Sequence, residues 1–296
     1  MTTKDKREIV NLIQTEKRRS GSYRIVATKA GVSAATISNM INHNWELIRE
    51  GTWSKVASVV NYSTSIWKLV ETTNFRTVTN TANRALNESL FIGIAAPAGS
   101  GKSEALQHLA KKSNGIVYIE AREWAKREFL RNLSQELGLQ NKYYHTGNQL
   151  ETDIIKYFIK NSHEPQMLIV DQANSLKLSA IKFFIHLYNA MKDKMGIVLA
   201  GTDALEGKIK RGVEHNQNGF DEVDSRMGRN FIHLLGNTFN DVKAICEANN
   251  IIDKDIIQDI FTEAQPAYMT FKGKSIKVVK DLRRVERIVK RELSHA

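Results

Sequence analysis

The sequence predicts an α/β fold: a five-stranded parallel sheet covered by helices, followed by a small helical C-terminal unit and preceded by an all-α N-terminal module. Three observations predict it. Five short apolar runs are separated by segments of helical periodicity, the alternation that builds a parallel sheet buried on both faces. Only three prolines occur in 296 residues, so helical patterns run largely uninterrupted. The two ends of the chain carry helical spacing without a convincing strand. A chain of this length can bury one sizeable core and smaller modules beside it.

In chain order, residues 1–62 pattern as short helices with polar turns. Residues 72–87, rich in Thr and Asn, read as a connector ending in a helix. The predicted strands are residues 90–95, 116–119, 167–170, 197–200 and 231–234, within a central region of roughly 70–235. Residues 212–224 read as a mobile loop. Residues 237–296 read as a helical lid that ends in a basic amphipathic stretch, 280–293. The expected division is therefore 1–62, 63–88 as connector, 89–236 as the α/β core and 237–296 as the lid.

Composition narrows the function classes. There are 43 Lys and Arg against 32 Asp and Glu, a formal charge of +11, which favours a polyanionic partner such as nucleic acid. No apolar run approaches a membrane span, and the N-terminus lacks the apolar core of a signal peptide, so a cytoplasmic protein with no membrane role is expected. A single cysteine, Cys246, excludes an internal disulfide and a thiolate zinc cluster, and the eight histidines form no HExxH pair.

The first predicted strand feeds directly into Ala96-Pro97-Ala98-Gly99-Ser100-Gly101-Lys102-Ser103 and then a helical stretch. This is the strand, loop and helix context of a P-loop, in which backbone N–H groups cradle phosphate oxygens. Lys102 would reach the β- and γ-phosphates of ATP, and Ser103 would ligate Mg²⁺. Ala96 stands at the first glycine position of the usual pattern. The third predicted strand ends in Asp171, a carboxylate that would hold Mg²⁺, usually through water. Gln172 follows it, where ATPases of the AAA+ class place a glutamate that polarises the attacking water. A neutral amide cannot accept that proton, so hydrolysis should be impaired. Two origins of Gln172 stay open: a natural slow or inactive ATPase, or a deliberate Glu-to-Gln change that traps the ATP state.

Thr202, after the fourth strand, is expected beside the γ-phosphate as sensor 1, with Asp203 next to it; a helix N-cap is the other reading of both. Arg226, in Ser225-Arg226-Met227-Gly228-Arg229, is the candidate arginine that enters a neighbouring subunit's site, and Arg283 is the candidate lid sensor. A solvated basic face is the alternative for each.

Residues 23–41, YRIVATKAGVSAATISNMI, pattern as a helix-turn-helix. Ala27 allows close packing, Gly31 suits the turn, Ser33 can cap the second helix, and Val32, Ile37 and Ile41 face inward. Ala34, Ala35, Thr36, Ser38 and Asn39 would face a DNA major groove, while Lys17, Arg18 and Arg19 could meet phosphates. A module used only for packing or protein contacts is the alternative. Arg122, Lys126 and Arg127 recur at near-helical spacing and would present one basic face to duplex DNA, with Glu120, Glu123 and Glu128 as neighbours that favour a merely solvated face.

Together, the GVSAATIS module, the APAGSGKS loop, the LIVDQAN strand, the GIVLAGTDAL segment and the SRMGR region resemble the phage Mu B family of transposition proteins and related AAA+ target-selection ATPases of transposons. The likeness runs over nearly the whole chain. It implies an AAA+ P-loop ATPase with ATP and Mg²⁺ as cofactors, self-assembly into a helical filament on duplex DNA with little sequence preference, and delivery of target DNA to a DDE-type transposase in a bacterial host cell. Gln172 departs from that family's catalytic pattern. Helicase-loader and insertion-sequence helper ATPases share the core motifs, and an ATP-switched DNA-binding regulator is a further class.

Overall fold

Each predicted apolar run becomes a strand because its side chains can be covered from both sides. The computed structural model describes residues 1–60, 62, 67–113, 115–139, 146–271 and 273–295. Strands β1 (Phe91–Ala95), β2 (Ile116–Glu120), β3 (Gln166–Asp171), β4 (Met195–Gly201) and β5 (Phe231–His233) form one parallel sheet in the order β2-β3-β4-β1-β5. The central strands β3 and β4 are buried along their whole length, and each buried aliphatic side chain contributes about 1.5–3 kcal/mol relative to exposure.

Helices α1 (Thr3–Ser20), α2 (Tyr23–Ala30), α3 (Ala34–Ile41) and α4 (Glu50–Val59) precede the sheet and close over their own core of Ile9, Ile13, Val26, Ile37, Met40 and Trp53. α5 (Thr73–Asn87), in the stretch read as a connector, packs with α6 (Lys102–Lys112) on one sheet face, through Phe75, Val78, Ala82 and Leu106. Residues 63–66 of that connector lie outside the described residues.

The opposite face is covered by α7 (Lys126–Glu136), α8 (Gly147–Lys160), the short α9 (Leu178–Ile181), α10 (Phe183–Ala190), α11 (Asp203–Glu214) and α12 (Phe220–Arg226). The expected mobile loop at 212–224 is thus mostly helix. Its polar composition hides one anchor: the Phe220 ring is buried against Gly212, where an added Cβ would come within 2.3 Å of it.

After β5, α13 (Phe239–Ala248), α14 (Lys254–Glu263) and α15 (Leu282–His295) share a core of Val242, Ile245, Ile257, Phe261, Val285 and Val289. The lid is not wholly helical as expected. β6 (Ala267–Phe271) and β7 (Lys274–Val278) form an antiparallel ribbon. Most of its positions are exposed or half-exposed, so no clean apolar and polar alternation marked it in the sequence. No helix among the described residues is long and apolar enough to cross a membrane.

Candidate functional site

The site lies at the carboxyl ends of the parallel strands, where an open α/β sheet places its ligand crevice. β1 delivers residues 96–101 and then α6. Gly99 and Gly101 have φ of +77° and +89°, a region that L side chains rarely occupy, so the loop can curl its backbone toward the start of α6. Ala98, Gly99, Ser100, Gly101, Lys102, Ser103, Gln172, Thr202 and Arg283 line one cavity of about 350 Å³. Strands β1, β3 and β4 and the lid therefore bring together the residues that the sequence had singled out at four separate places.

The Lys102 ammonium is buried and donates to two neutral carbonyls, Ala96 O at 3.3 Å and Pro97 O at 3.4 Å. Burial pushes its pKa below the ordinary lysine range and Arg283 adds to that push, while Asp171 and Asp203 oppose it. An anion in the cavity would restore the charge balance. The Ser100 hydroxyl, likewise buried, has no hydrogen-bond partner among the described residues. A buried cation, an unpartnered hydroxyl and the N-terminus of α6 at one cavity suit phosphate oxygens.

Asp171 is fully buried at the end of β3. Its Oδ1 accepts the Gln172 backbone N–H at 2.8 Å, and its Oδ2 accepts the Tyr118 hydroxyl at 3.0 Å. Gln107 on α6 in turn donates to Tyr118 Oη at 3.2 Å. Burial, reinforced by the Asp171 charge, pushes the Tyr118 pKa well above the ordinary phenol range, so the hydroxyl stays a donor. Gln172 has a φ of 54°, the left-handed turn by which the chain leaves the strand. Thr202 is the N-cap of α11 by position, yet its side chain makes no cap bond. Its backbone N–H donates to Asn174 Oδ1 at 3.1 Å.

The lid closes the site. Leu282 N–H donates to Gly99 O at 2.8 Å, and the Asp281 carboxylate packs so close to Gly99 that an added Cβ would come within 1.9 Å of it. Trp67, Leu69, Val70, Phe75 and Ile245 supply the apolar part of the cavity wall. Asn249 fixes this wall, accepting from Lys68 N at 2.9 Å and donating to Ile245 O at 2.8 Å, and Asp241 accepts Thr73 N at 2.7 Å. Asn74 ties the loop after β1 to the residue just before the lid, donating to Ser100 O at 3.1 Å and accepting Gly236 N at 3.1 Å. Sequence reasoning missed Asn74, Tyr118, Asn174, Asn249 and the apolar wall. Most of their contacts join residues far apart in the chain, and only the polar, otherwise unexplained Asn74 inside an amphipathic helix offered a signal.

Arg226 is not part of this cavity. It ends α12, with its guanidinium bonded to Asn189 Oδ1 at 2.9 Å, paired with Glu222 at 3.3 Å and lying over the Tyr188 ring. The basic stretch after β2 does not form the expected helical face. α7 begins only at Lys126, which leaves Arg122 in the preceding loop. Lys126 Nζ pairs at 2.6 Å with Glu151, itself bonded to His186, so its charge is spent on an internal contact, and Arg127 follows it in the first turn of α7. Spacing alone could not reveal that the helix starts between Arg122 and Lys126.

In the N-terminal helices, Gly31 has φ +60° at the turn, and Ser33 Oγ accepts Thr36 N–H at 3.1 Å. Ile37 is buried, and Val32 and Ile41 pack against the same core. Ala34, Ala35 and Ser38 are exposed, and Thr36 and Asn39 are half-buried. Lys17 lies over the Tyr23 ring and Arg18 is exposed, while the Arg19 side chain lies outside the described residues.

A search of curated proteins finds no match to the chain. Among solved structures, Cdc6p from Pyrobaculum aerophilum is similar at a TM-score of 0.48 and 13% identity, over 68% of this chain and 63% of that one. The ADP form of the ORC2 protein from Aeropyrum pernix is similar at 0.42 and 12%, over 63% and 53%. The chain thus spans less than two thirds of the length of either. Residues 85–209 match the AAA domain family, and that match runs from the end of α5 through the phosphate loop, Asp171 and Thr202 into α11, the core of an α/β P-loop fold.

Proposed function

We propose that this chain is an ATP- and Mg²⁺-binding AAA+ protein that assembles on duplex DNA, with slow or absent hydrolysis. The single observation that carries the reading is the cavity at which the buried Lys102, the unpartnered Ser100 hydroxyl, the strand end bearing Asp171 and Gln172, and the lid residue Arg283 converge. Lys102 and the loop N–H groups would hold the triphosphate, and Ser103 and Asp171 would hold Mg²⁺, which supplies charge neutralisation between the phosphates. Trp67, Val70 and Ile245 would enclose the base. Thr202 and Arg283 would contact the γ-phosphate from the same chain.

Gln172 can orient a water molecule by hydrogen bonding but cannot take its proton, so binding outlives turnover. Arg226 does not line its own chain's cavity, which suits an arginine that acts on a neighbour in an oligomer. The N-terminal helix pair would lay α3 in a major groove, with Thr36, Ser38 and Asn39 toward the bases and Lys17 and Arg18 toward phosphates. The expected division at residues 62, 88 and 236 goes with this assignment of roles.

The motif order and its resemblance to the phage Mu B family extend the reading to a helical filament on target DNA that is handed to a DDE-type transposase in the bacterial cytoplasm. Negative-stain images of the full chain, with and without ATP and a long duplex, test it. The reading expects filaments only when both are present. Discrete particles at a single operator-like site would favour an ATP-switched regulator instead, and copurification with a replicative helicase would favour a loader.

A further inference from the structure

The β6–β7 ribbon stands out from the lid in composition and exposure. Residues 265–280 contain Lys272, Lys274, Lys277 and Lys280 and no Asp or Glu. Lys272 lies outside the described residues; the other three are exposed, and Tyr268 is 69% exposed. The register pairs Tyr268 with Lys277, whose Nζ sits 5.1 Å from the ring centroid, and Phe271 with Lys274. Side chains alternate across a pleated ribbon, so Tyr268, Thr270, Ser275 and Lys277 share one face while Lys274 lies on the other. Both faces therefore carry positive charge.

The ribbon also leads straight to the phosphate loop. Val279, the residue after β7, exchanges two backbone hydrogen bonds with Asn237, at 2.9 and 2.8 Å. Three residues further on, Leu282 N–H is bonded to Gly99 O at 2.8 Å. The ribbon and the loop after β1 are thus joined by a short, hydrogen-bonded segment.

We infer that the β6–β7 ribbon is a duplex-DNA contact whose presentation depends on the nucleotide bound at the phosphate loop. A two-stranded ribbon fits a major groove about 12 Å wide, and lysines on its two faces meet the phosphates of both walls. Tyr268, Thr270 and Ser275 supply polar contacts without an acidic side chain to repel the backbone. The inference rests on the DNA-binding reading above and adds a surface that the N-terminal helices do not provide.

The test compares the full-length parent with a Tyr268→Ala/Lys274→Ala/Lys277→Ala variant and a Lys274→Arg/Lys277→Arg variant. Binding of two unrelated labelled duplexes is followed by anisotropy over a range of salt concentrations, with and without Mg-ATP. ATP affinity, measured by calorimetry, reports on folding. The alanine variant should bind both duplexes more weakly by a similar factor. Its slope of log affinity against log salt should fall by about 1.8, at ~0.9 for each lost phosphate contact. Its ATP affinity should stay that of the parent, its remaining DNA binding should respond less to ATP, and the arginine variant should keep the parent slope.

Parent-like affinity and slope in the alanine variant would overturn the ribbon assignment and leave the DNA-binding reading standing. Failure of the parent itself to bind duplex would overturn both. Binding of the ribbon lysines to phosphatidylserine vesicles with unaltered duplex binding would assign the surface to lipid and overturn the inference. Loss of slope in the arginine variant, or loss of ATP affinity in the alanine variant, would attribute the effect to lid packing and overturn it equally.

Discussion

Replacing Tyr118 by Phe removes one oxygen and leaves the ring. That oxygen donates to Asp171 Oδ2 at 3.0 Å and is the only side-chain hydroxyl on the buried carboxylate among the described residues; the other oxygen is held by a backbone N–H. A hydrogen bond to a charged group contributes about 1.5–3 kcal/mol, and ~1.4 kcal/mol is tenfold in an equilibrium constant, so the orientation it enforces corresponds to about 10–100-fold in affinity. Substitution of groups that orient metal ligands falls in the same range, about 10–100-fold. The expected result for Tyr118→Phe is a shift of that size in the Mg²⁺ concentration that supports ATP binding, followed by calorimetry, while ATP binding in excess EDTA is unchanged. A Mg²⁺ dependence equal to that of the parent would show that the hydroxyl does not orient Asp171 for the metal. An equal loss with and without Mg²⁺ would refute that role too, because it would mean that the site had simply been distorted.

Gln172→Glu should raise the DNA-stimulated ATPase rate by about 10²–10⁴, the contribution of a positioned general base, with ATP affinity little changed; a rate no higher than that of the parent removes this position from the catalytic role. Arg226→Ala should keep ATP binding but lose ATP-dependent assembly in sedimentation, whereas parent-like assembly would return Arg226 to its local partners Asn189 and Glu222. Cys246 is buried in the lid core, and burial pushes its thiol up to about 11 from an ordinary value near 9. The neutral thiol is therefore the form the fold favours: its share of stability is complete below the unfolded pKa and is lost as pH rises through the folded one. Iodoacetamide at pH about 8.5 should label the unfolded chain and spare the folded one, and Cys246→Ala should flatten the fall in melting temperature between pH ~9 and ~11. Equal labelling of both states would contradict this.

The parallel sheet was legible because its strands are short apolar runs between amphipathic helices, a signal that depends on burial alone. The turn of the loop after β1 was legible because its backbone shape needs glycines, which the sequence displays at Gly99 and Gly101. What escaped was set by contacts between distant segments. Phe220 holds the 212–224 stretch in helices through Gly212, and nothing local announces that pairing. The β6–β7 ribbon is too exposed to show alternation. The grouping of Arg122 with Lys126 and Arg127 failed because near-helical spacing does not say where a helix begins. Tyr118 read as one more residue of a strand, and only the register of β2 on β3 brings its hydroxyl to Asp171.

The cavity between the loop after β1, Gln172 at the end of β3 and the lid is read as an ATP site. Calorimetric titration of Mg-ATP into the full chain and into Lys102→Ala tests it most directly. Saturable one-to-one binding to the parent is expected, weakened at least about tenfold in the variant as a charge-assisted contact to phosphate is lost. Binding of equal affinity to both proteins, or no binding to the parent, would contradict it.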